Sequence, residues 1–321
     1  MLSWFPVPPV SIPASTRDPA RSPAMPERAY NWTNILFIAS AHILALFSIV
    51  YLAAIQFSWA SVALGFIWLA ASSISITGGY HRLFSHPSYK AHLGLRLFYL
   101  CFGAAGAQNS ALKWSIDHRI HHKETDTDND PYNIERGFWW AHILWIFYKD
   151  EREPDLSLAR DLTLDPWVMW QDKYYLHLAI VVGAVIPFGL GSLWGDPWGA
   201  LLIAGFLRLI LQWHATFSVN SFTHLVGSRP FSIDGSARDS FWTAFITLGE
   251  GYHNFHHKFQ VDYRNGIRWY HFDPTKWFVW SLSKIGLTSD LKRTTRERIE
   301  RARAQVRVLR AQAPARSQNS S

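Results

Sequence analysis

Four long apolar stretches punctuate an otherwise polar chain. Residues 34–56, 57–80 and 176–195 contain no Lys, Arg, Asp or Glu, and residues 197–219 contain only Arg208. Each is about 20 residues or longer, enough for a helix rising 1.5 Å per residue to cross a hydrocarbon core of about 30 Å. The pattern predicts an all-α integral membrane protein with four transmembrane helices. Helices buried in a soluble protein would give similar runs. Two uncharged runs that meet after residue 56 with hardly a turn between them argue against that reading. Shorter aromatic-rich segments at 91–112, 137–148 and 275–287 read as helices lying in the membrane interface or dipping into it. Residues 1–30 hold seven prolines and no apolar run suited to a signal peptide, so they are expected to form a disordered arm. The predicted organisation is this arm, a membrane domain over 31–290, and a basic, helical tail over 291–321, solvated or touching lipid headgroups.

Charge sets the expected topology. Apart from Arg208, every Lys and Arg lies in the N-terminal arm, in the 81–175 loop or after residue 220. Four spans place those three regions on one side, and the positive-inside rule makes that side the cytoplasm. The net charge of +7 then serves orientation and attraction to anionic lipid, and no nucleic-acid partner is needed. Charged residues are only 17% of the chain and there are 17 Trp, a balance that suits a membrane protein with aromatic belts. A single cysteine, Cys101, excludes an internal disulfide, a Cys₄ zinc site and a self-contained iron–sulfur cluster.

The 15 histidines carry the chemistry. His81 and His86 follow the second span, Asp117-His118-Arg-Ile-His121-His122 lies in the long loop, and His253-Asn-Phe-His256-His257 follows the fourth span. The topology, derived without these residues, puts all three boxes on one membrane face. On a helix, residues three and four apart share a face, so each HxxHH trio can point at one centre. His81 and His86 would splay by about 140° on a regular helix, reaching two metals or one at a helix end. Eight imidazoles exceed the four ligands of a tetrahedral zinc and suit a dinuclear first-row metal site. His42, His92, His142, His177, His214 and His271 belong to no box and read as packing or interfacial residues.

At these boxes the chain resembles the membrane fatty acid desaturases, in particular the acyl-CoA desaturases of the stearoyl-CoA, delta-9 type. HRLFSH, DHRIHH and GEGYHNFHH match the family's boxes in order, spacing and topology. QNSALKWSIDHRIHHKETDTDNDPYN, RGFWWAHILW and NSFTHLVGSRPF extend the likeness, which covers about residues 30–290. The resemblance implies four transmembrane helices and a cytosolic helical cap holding a histidine-ligated di-iron site. His81, His86, His118, His121, His122, His253, His256 and His257 would be ligands, with His224 as a ninth outside the boxes and Asn220 reaching one iron through water. Gln108, Trp114 and Thr216 match residues at the kink of an acyl tunnel, and Asn34, Asn109 and Asp117 match contacts to the CoA–pantetheine part. Lys149 matches a cation near the CoA phosphates. Two departures remove positive charge there: Ile116 replaces a basic residue, and Asp150 stands where a cation is expected.

The implied reaction introduces a cis double bond into a saturated acyl thioester with O₂ as co-substrate, as part of unsaturated fatty acid synthesis. A di-iron fatty acid or alkane hydroxylase is the nearest rival, and it would yield an alcohol instead of an alkene. A zinc hydrolase or a metal carrier is a rival of another class. A carrier would place polar ligands at mid-membrane, whereas these boxes follow the spans. The sequence has no His-Pro-Gly-Gly haem motif and no GxGxxG, so electrons are expected from an external donor such as ferredoxin or cytochrome b5 with its reductase. Ser73 and Leu69 lie roughly 12–18 Å before His81 at 1.5 Å per residue, and they are expected at the far end of the tunnel.

Overall fold

The computed structural model describes residues 28–150, 152 and 155–312. The expected disordered arm therefore falls almost wholly outside the described residues, as does the tail beyond residue 312. Four helices are long and apolar enough to span a membrane: Trp32–Ile55, Trp59–Ser85, Tyr175–Ser192 and Pro197–Leu225. The chain is thus a multi-pass, mostly helical membrane protein. The second and fourth spans run five or six residues beyond the uncharged stretches, because the polar segments carrying His81 and His224 continue the same helices.

Local signals start these helices. Asn31 accepts from Asn34 N at 3.2 Å, Ser58 from Ser61 N at 3.3 Å, and Asp196 from Gly199 N at 3.0 Å. Such caps satisfy amides that a helix start leaves open. At the end remote from the histidines, Asp196 is buried and also accepts from Tyr51 Oη at 2.8 Å and Ser61 Oγ at 2.5 Å. That one carboxylate ties the first two spans to the connection between the last two. Leu36, Ile43, Leu46, Phe66 and Leu176 face outward with exposures of 63–68%, the apolar exterior that lipid covers.

Helix Leu93–Ala105 packs inside the bundle, against the second and third spans. Close approach is possible because a Cβ at Gly79 would lie 2.6 Å from Tyr99 Cβ, and one at Gly103 would strike the Tyr80 ring. The expected single helix over 91–112 is broken: a turn at residues 106–110 separates Leu93–Ala105 from Ala111–Glu124. Ser110 stops and restarts the chain, its hydroxyl accepting from Lys113 N at 3.2 Å.

The cap is built from Ala111–Glu124, Phe138–His142, His253–Lys258 and Pro274–Ser283. A two-residue antiparallel pair, Lys90–Ala91 with Thr288–Ser289, joins the second span's exit to the C-terminal region. The tail is helical, Arg296–Gln312, as expected, but it is not solvated all round. Ile299 and Ala302 are buried with Phe231, Phe255 and Phe259, and Val306 is buried too. Ile299, Ala302 and Val306 recur at three- and four-residue spacing, one apolar stripe on a basic helix.

Candidate metal centre

The first box depends on how the second span ends. From Ser75 to Ser85 the helix winds in wider turns, and His86 N bonds His81 O at 3.2 Å across five residues. An i→i+5 ladder stacks residue i+5 over residue i. His81 and His86 therefore do not splay as a regular helix would make them. Their rings lie 5.0 Å apart, in one cluster.

The HxxHH trios behave differently from expectation. Each divides between two centres. His118 and His122 join His81, His86 and His256 in one group of five, while His121, His253 and His257 join His224 in a group of four. The reason is helical phase. At 3.6 residues per turn, positions i and i+4 are about 40° apart, whereas i+3 and i+4 are about 100° apart. The i,i+4 pair shares a centre and the i+3 histidine serves the other. His224 enters from the end of the fourth span, and all nine residues are buried or nearly so.

Ring nitrogens converge in each group. Nε2–Nε2 separations are 3.0 Å for His81–His256, 2.8 Å for His86–His118, 3.1 Å for His118–His122 and 2.9 Å for His122–His256. In the second group they are 3.3 Å for His121–His257 and 3.0 Å for His253–His257. These cannot all be hydrogen bonds. His118 Nε2 faces two other Nε2 atoms and carries one proton at most. His224 Nε2 is buried with no hydrogen-bond partner among the described residues. Ligands at about 2.0–2.1 Å from one ion, set at right angles, stand about 3 Å apart. Both groups fit a metal ion.

Outer contacts set the tautomers. His81 Nδ1 lies 2.8 Å from Glu250 Oε2, and His121 Nδ1 lies 3.0 Å from Asp130. His224 Nδ1 lies 2.6 Å from Ser236 Oγ, which donates to Asp126 Oδ1 at 2.6 Å. Each contact holds the proton on Nδ1 and turns a bare Nε2 inward. Burial, and then the neighbouring imidazoles, hold His86, His118, His122, His253, His256 and His257 well below the ordinary histidine range. They are neutral, the form that binds metal. Burial alone would raise the Glu250 carboxyl, but Arg82 and then His81 outweigh it and hold it at about 2. Buried Arg82 is in turn bonded to Glu250 Oε1 at 2.8 Å and Asp273 Oδ2 at 3.1 Å. We expect Glu250→Gln to weaken metal binding at the five-histidine group by about 10- to 100-fold, read as retained metal after graded chelation. Unchanged retention would show that Glu250 does not orient His81.

These outer residues escaped the sequence reading. Glu250 lies three residues before His253 yet serves His81, and Asp126 and Asp130 look like an ordinary acidic loop. Only their contacts separate them from other surface carboxylates. Three histidines outside the boxes also have more than packing roles. His42 Nε2 meets His214 Nε2 at 3.1 Å, His214 Nδ1 meets His142 Nε2 at 3.0 Å, and His142 Nδ1 meets Ser221 Oγ at 2.9 Å. This chain ties the first span to the fourth beside the His224 turn. His92 caps helix Leu93–Ala105, His271 stacks on Tyr252, and His177 is exposed on the third span.

The expected substrate residues lie on several elements, and one of them touches the histidine groups directly. Trp114 stacks on His118 with ring centroids 4.9 Å apart, and Gln108 Nε2 donates to Thr216 Oγ1 at 3.1 Å. Asn109 N donates to Tyr175 Oη at 3.1 Å, and Asn34 Nδ2 donates to Ile146 O at 3.0 Å. Asp117 pairs with Lys113 at 2.5 Å; burial raises its carboxyl despite that lysine. Lys149 is exposed. Asp150 does not stand alone as an opposing charge, because Arg152 pairs with it at 2.8 Å and Lys113 lies 3.6 Å away. Leu69 and Ser73 are half-buried on the second span. Asn220 sits one turn before His224, with its side chain in no hydrogen bond among the described residues.

A multi-pass helical protein with two adjacent polyhistidine clusters at the ends of its spans defines a class of membrane metalloprotein. The comparisons make this specific. The fatty acid desaturase family model matches residues 57–284, and the chain belongs to that family. It is 44% identical over 266 residues to a probable acyl-CoA desaturase of Schizosaccharomyces pombe, covering 82% of this chain and 55% of that one. It is 35% identical over 287 residues to stearoyl-CoA desaturase 5 of Bos taurus, covering 86% and 83%. It is 38% identical over 262 residues to an sn-2 palmitoyl-lipid 9-desaturase of Nostoc, covering 80% and 88%. The chain spans about half the length of the two fungal acyl-CoA desaturases it matches.

Proposed function

We propose that this chain is an O₂-dependent acyl desaturase that places a cis double bond at the delta-9 position of a saturated acyl-CoA. The overall change is acyl chain + O₂ + 2 e⁻ + 2 H⁺ to cis-alkene + 2 H₂O. The observation that carries the reading is the division of nine imidazoles into groups of five and four. Five ligands exceed tetrahedral zinc, and imidazole without thiolate suits iron. Two irons held by these groups would supply the oxidising power that removes hydrogen from an unactivated methylene pair. The chain's own residues do the rest. Glu250, Asp130 and Ser236 keep Nδ1 protonated and aim Nε2 inward. Trp114, stacked on His118, forms an apolar wall beside the five-histidine group, and the Gln108–Thr216 bond pins the backbone where the acyl chain bends. Orientation of one C–C bond then sets position and geometry.

Names of the fungal and bovine relatives support CoA as carrier, and so does Arg152, which pairs with the otherwise opposing Asp150. Asn34, Asn109, Asp117 and Lys149 would then contact the pantetheine and phosphate end. In this reading Asn220 reaches the four-histidine group through water, and both termini and the metal centre face the cytoplasm. The direct test is expression in a host lacking unsaturated fatty acids, with new products identified by mass spectrometry. An alkene at delta-9 is expected. A hydroxylated chain, or no product from iron-loaded protein, would overturn the proposal.

Chain length gives a further prediction. Ser73→Phe should shift preference toward shorter acyl chains and Leu69→Gly toward longer ones, read by competition between substrates differing by two carbons. An unchanged profile in both variants would place the tunnel end elsewhere.

A further inference from the structure

Three polar side chains mark one face of the fourth span at one-turn intervals: Arg208, Gln212 and Thr216. This face meets the end of helix Leu93–Ala105 and the turn that follows. Thr216 accepts from Gln108 at 3.1 Å. Gln212 Nε2 lies 3.1 Å from where a Cβ on Gly106 would sit, so the amide packs closely beneath that residue. Gln212 Oε1 accepts from Arg208 Nη1 at 3.1 Å, which sets the amide's orientation and leaves Nε2 buried beneath the turn with no partner among the described residues.

Arg208 is 2% exposed inside a membrane span. Among the described residues its hydrogen bonds go to Ala204 O at 2.6 Å and to Gln212, not to a carboxylate. Its Nη2 and Ala105 O lie 3.4 Å and 3.7 Å from the position of a Cβ on Gly183. Both therefore border the same point on the third span, which brings the guanidinium into the neighbourhood of the C-terminal end of helix Leu93–Ala105, where carbonyl dipoles favour a cation. Intramembrane charge is costly and is retained where it does something.

The turn above is held in an unfavourable shape. Ala107 has φ 49° and Asn109 has φ 72°, the left-handed region that is costly for alanine and tolerated by asparagine. Trp213 Nε1 donates to Gly106 O at 2.8 Å, and Tyr175 Oη accepts from Asn109 N at 3.1 Å. With Gln108 on Thr216, the segment 106–109 is clamped by neighbouring residues of the fourth span and by the third span. Strain of this kind persists only where the surroundings over-determine it.

We infer that Arg208 and Gln212 are positioning residues for regiochemistry, acting through the 106–109 turn on Gln108 and so on which methylene pair faces the histidine clusters. The inference rests on the desaturase reading and extends it to two residues that touch neither metal ligand nor reacting carbon. A displacement of about 1 Å at such a point costs about 100-fold in a well-placed reaction, so a loosened turn would let neighbouring positions compete.

The test uses the full chain in a host lacking unsaturated fatty acids. Gln212→Leu removes the acceptor for Arg208 and the amide beneath the turn, Arg208→Met removes the charge, and Gln212→Glu keeps an acceptor for Arg208. Double-bond position is read by mass spectrometry, and iron per chain is measured on purified protein. For Gln212→Leu and Arg208→Met, the share of product with a displaced double bond should rise about tenfold, the effect of roughly 1.4 kcal/mol, with iron unchanged. Gln212→Glu should keep the wild-type position. If Arg208→Met fails to accumulate, the two Gln212 variants decide. A wild-type positional profile in an iron-loaded Gln212→Leu protein overturns the inference. A wild-type chain that makes no alkene defeats the underlying reading instead, so the two failures are distinguishable.

Discussion

His224→Ala is expected to abolish desaturation and to lower bound iron by about one ion per chain. His224 belongs to no histidine box, yet its Nε2, without a hydrogen-bond partner among the described residues, belongs to the group with His121, His253 and His257. Removing it leaves three imidazoles, fewer than the four ligands of a closed site. Asn220, one turn earlier, is too weak a donor to replace it. The Ser236–Asp126 pair would also lose the group it orients. His118→Ala, His121→Ala, His253→Ala and His257→Ala should each behave similarly. His177→Ala is the control, because that ring is exposed on the third span and belongs to neither histidine group. Iron per chain by elemental analysis, together with alkene yield, checks the prediction. Full iron and wild-type activity in His224→Ala would remove it from the centre.

The spans and the three histidine boxes are legible because they depend on local pattern: uncharged length for the spans, spacing for the boxes. Their allocation to two centres is not legible. It depends on the 100° step between His121 and His122, which separates neighbours that look equivalent in sequence, and on the wide turns that bring His86 over His81. The outer acids are less legible still, since Glu250 reaches His81 from a segment far along the chain. The same holds for His42, His142 and His214, whose hydrogen-bonded chain joins three separate elements. The tail's position follows from a stripe of only three apolar residues, Ile299, Ala302 and Val306, within a strongly basic helix. Composition points such a helix toward solvent, whereas its minority face docks it.

That docking decides how electron supply can be tested. In the desaturase reading each turnover takes two electrons, and these 321 residues contain no haem or nicotinamide motif and one cysteine. Purified protein given NAD(P)H alone should show no turnover, and a reductase with a small acidic carrier should restore it. Association of opposite charges is accelerated by long-range attraction, which salt screens over about 8 Å at 0.15 M. The rate should therefore fall as salt rises under conditions where the encounter is limiting. Removing residues 291–321 is a poor test of the dock. It would strip Ile299 and Ala302 from Phe231, Phe255 and Phe259, and Phe255 lies between His253 and His256 of the two histidine groups. Loss of activity would then report a disturbed metal centre. Charge reversal keeps the apolar face in place. Arg298 and Arg301 are exposed residues of the same helix, outside its buried stripe, with the Arg301 side chain 75% open. Arg298→Glu with Arg301→Glu should leave iron content unchanged, slow carrier-driven turnover by about tenfold at low salt, and flatten the salt dependence. An unaltered rate and salt slope would move the dock to another part of the basic face. Turnover without any carrier would end the requirement for an external donor.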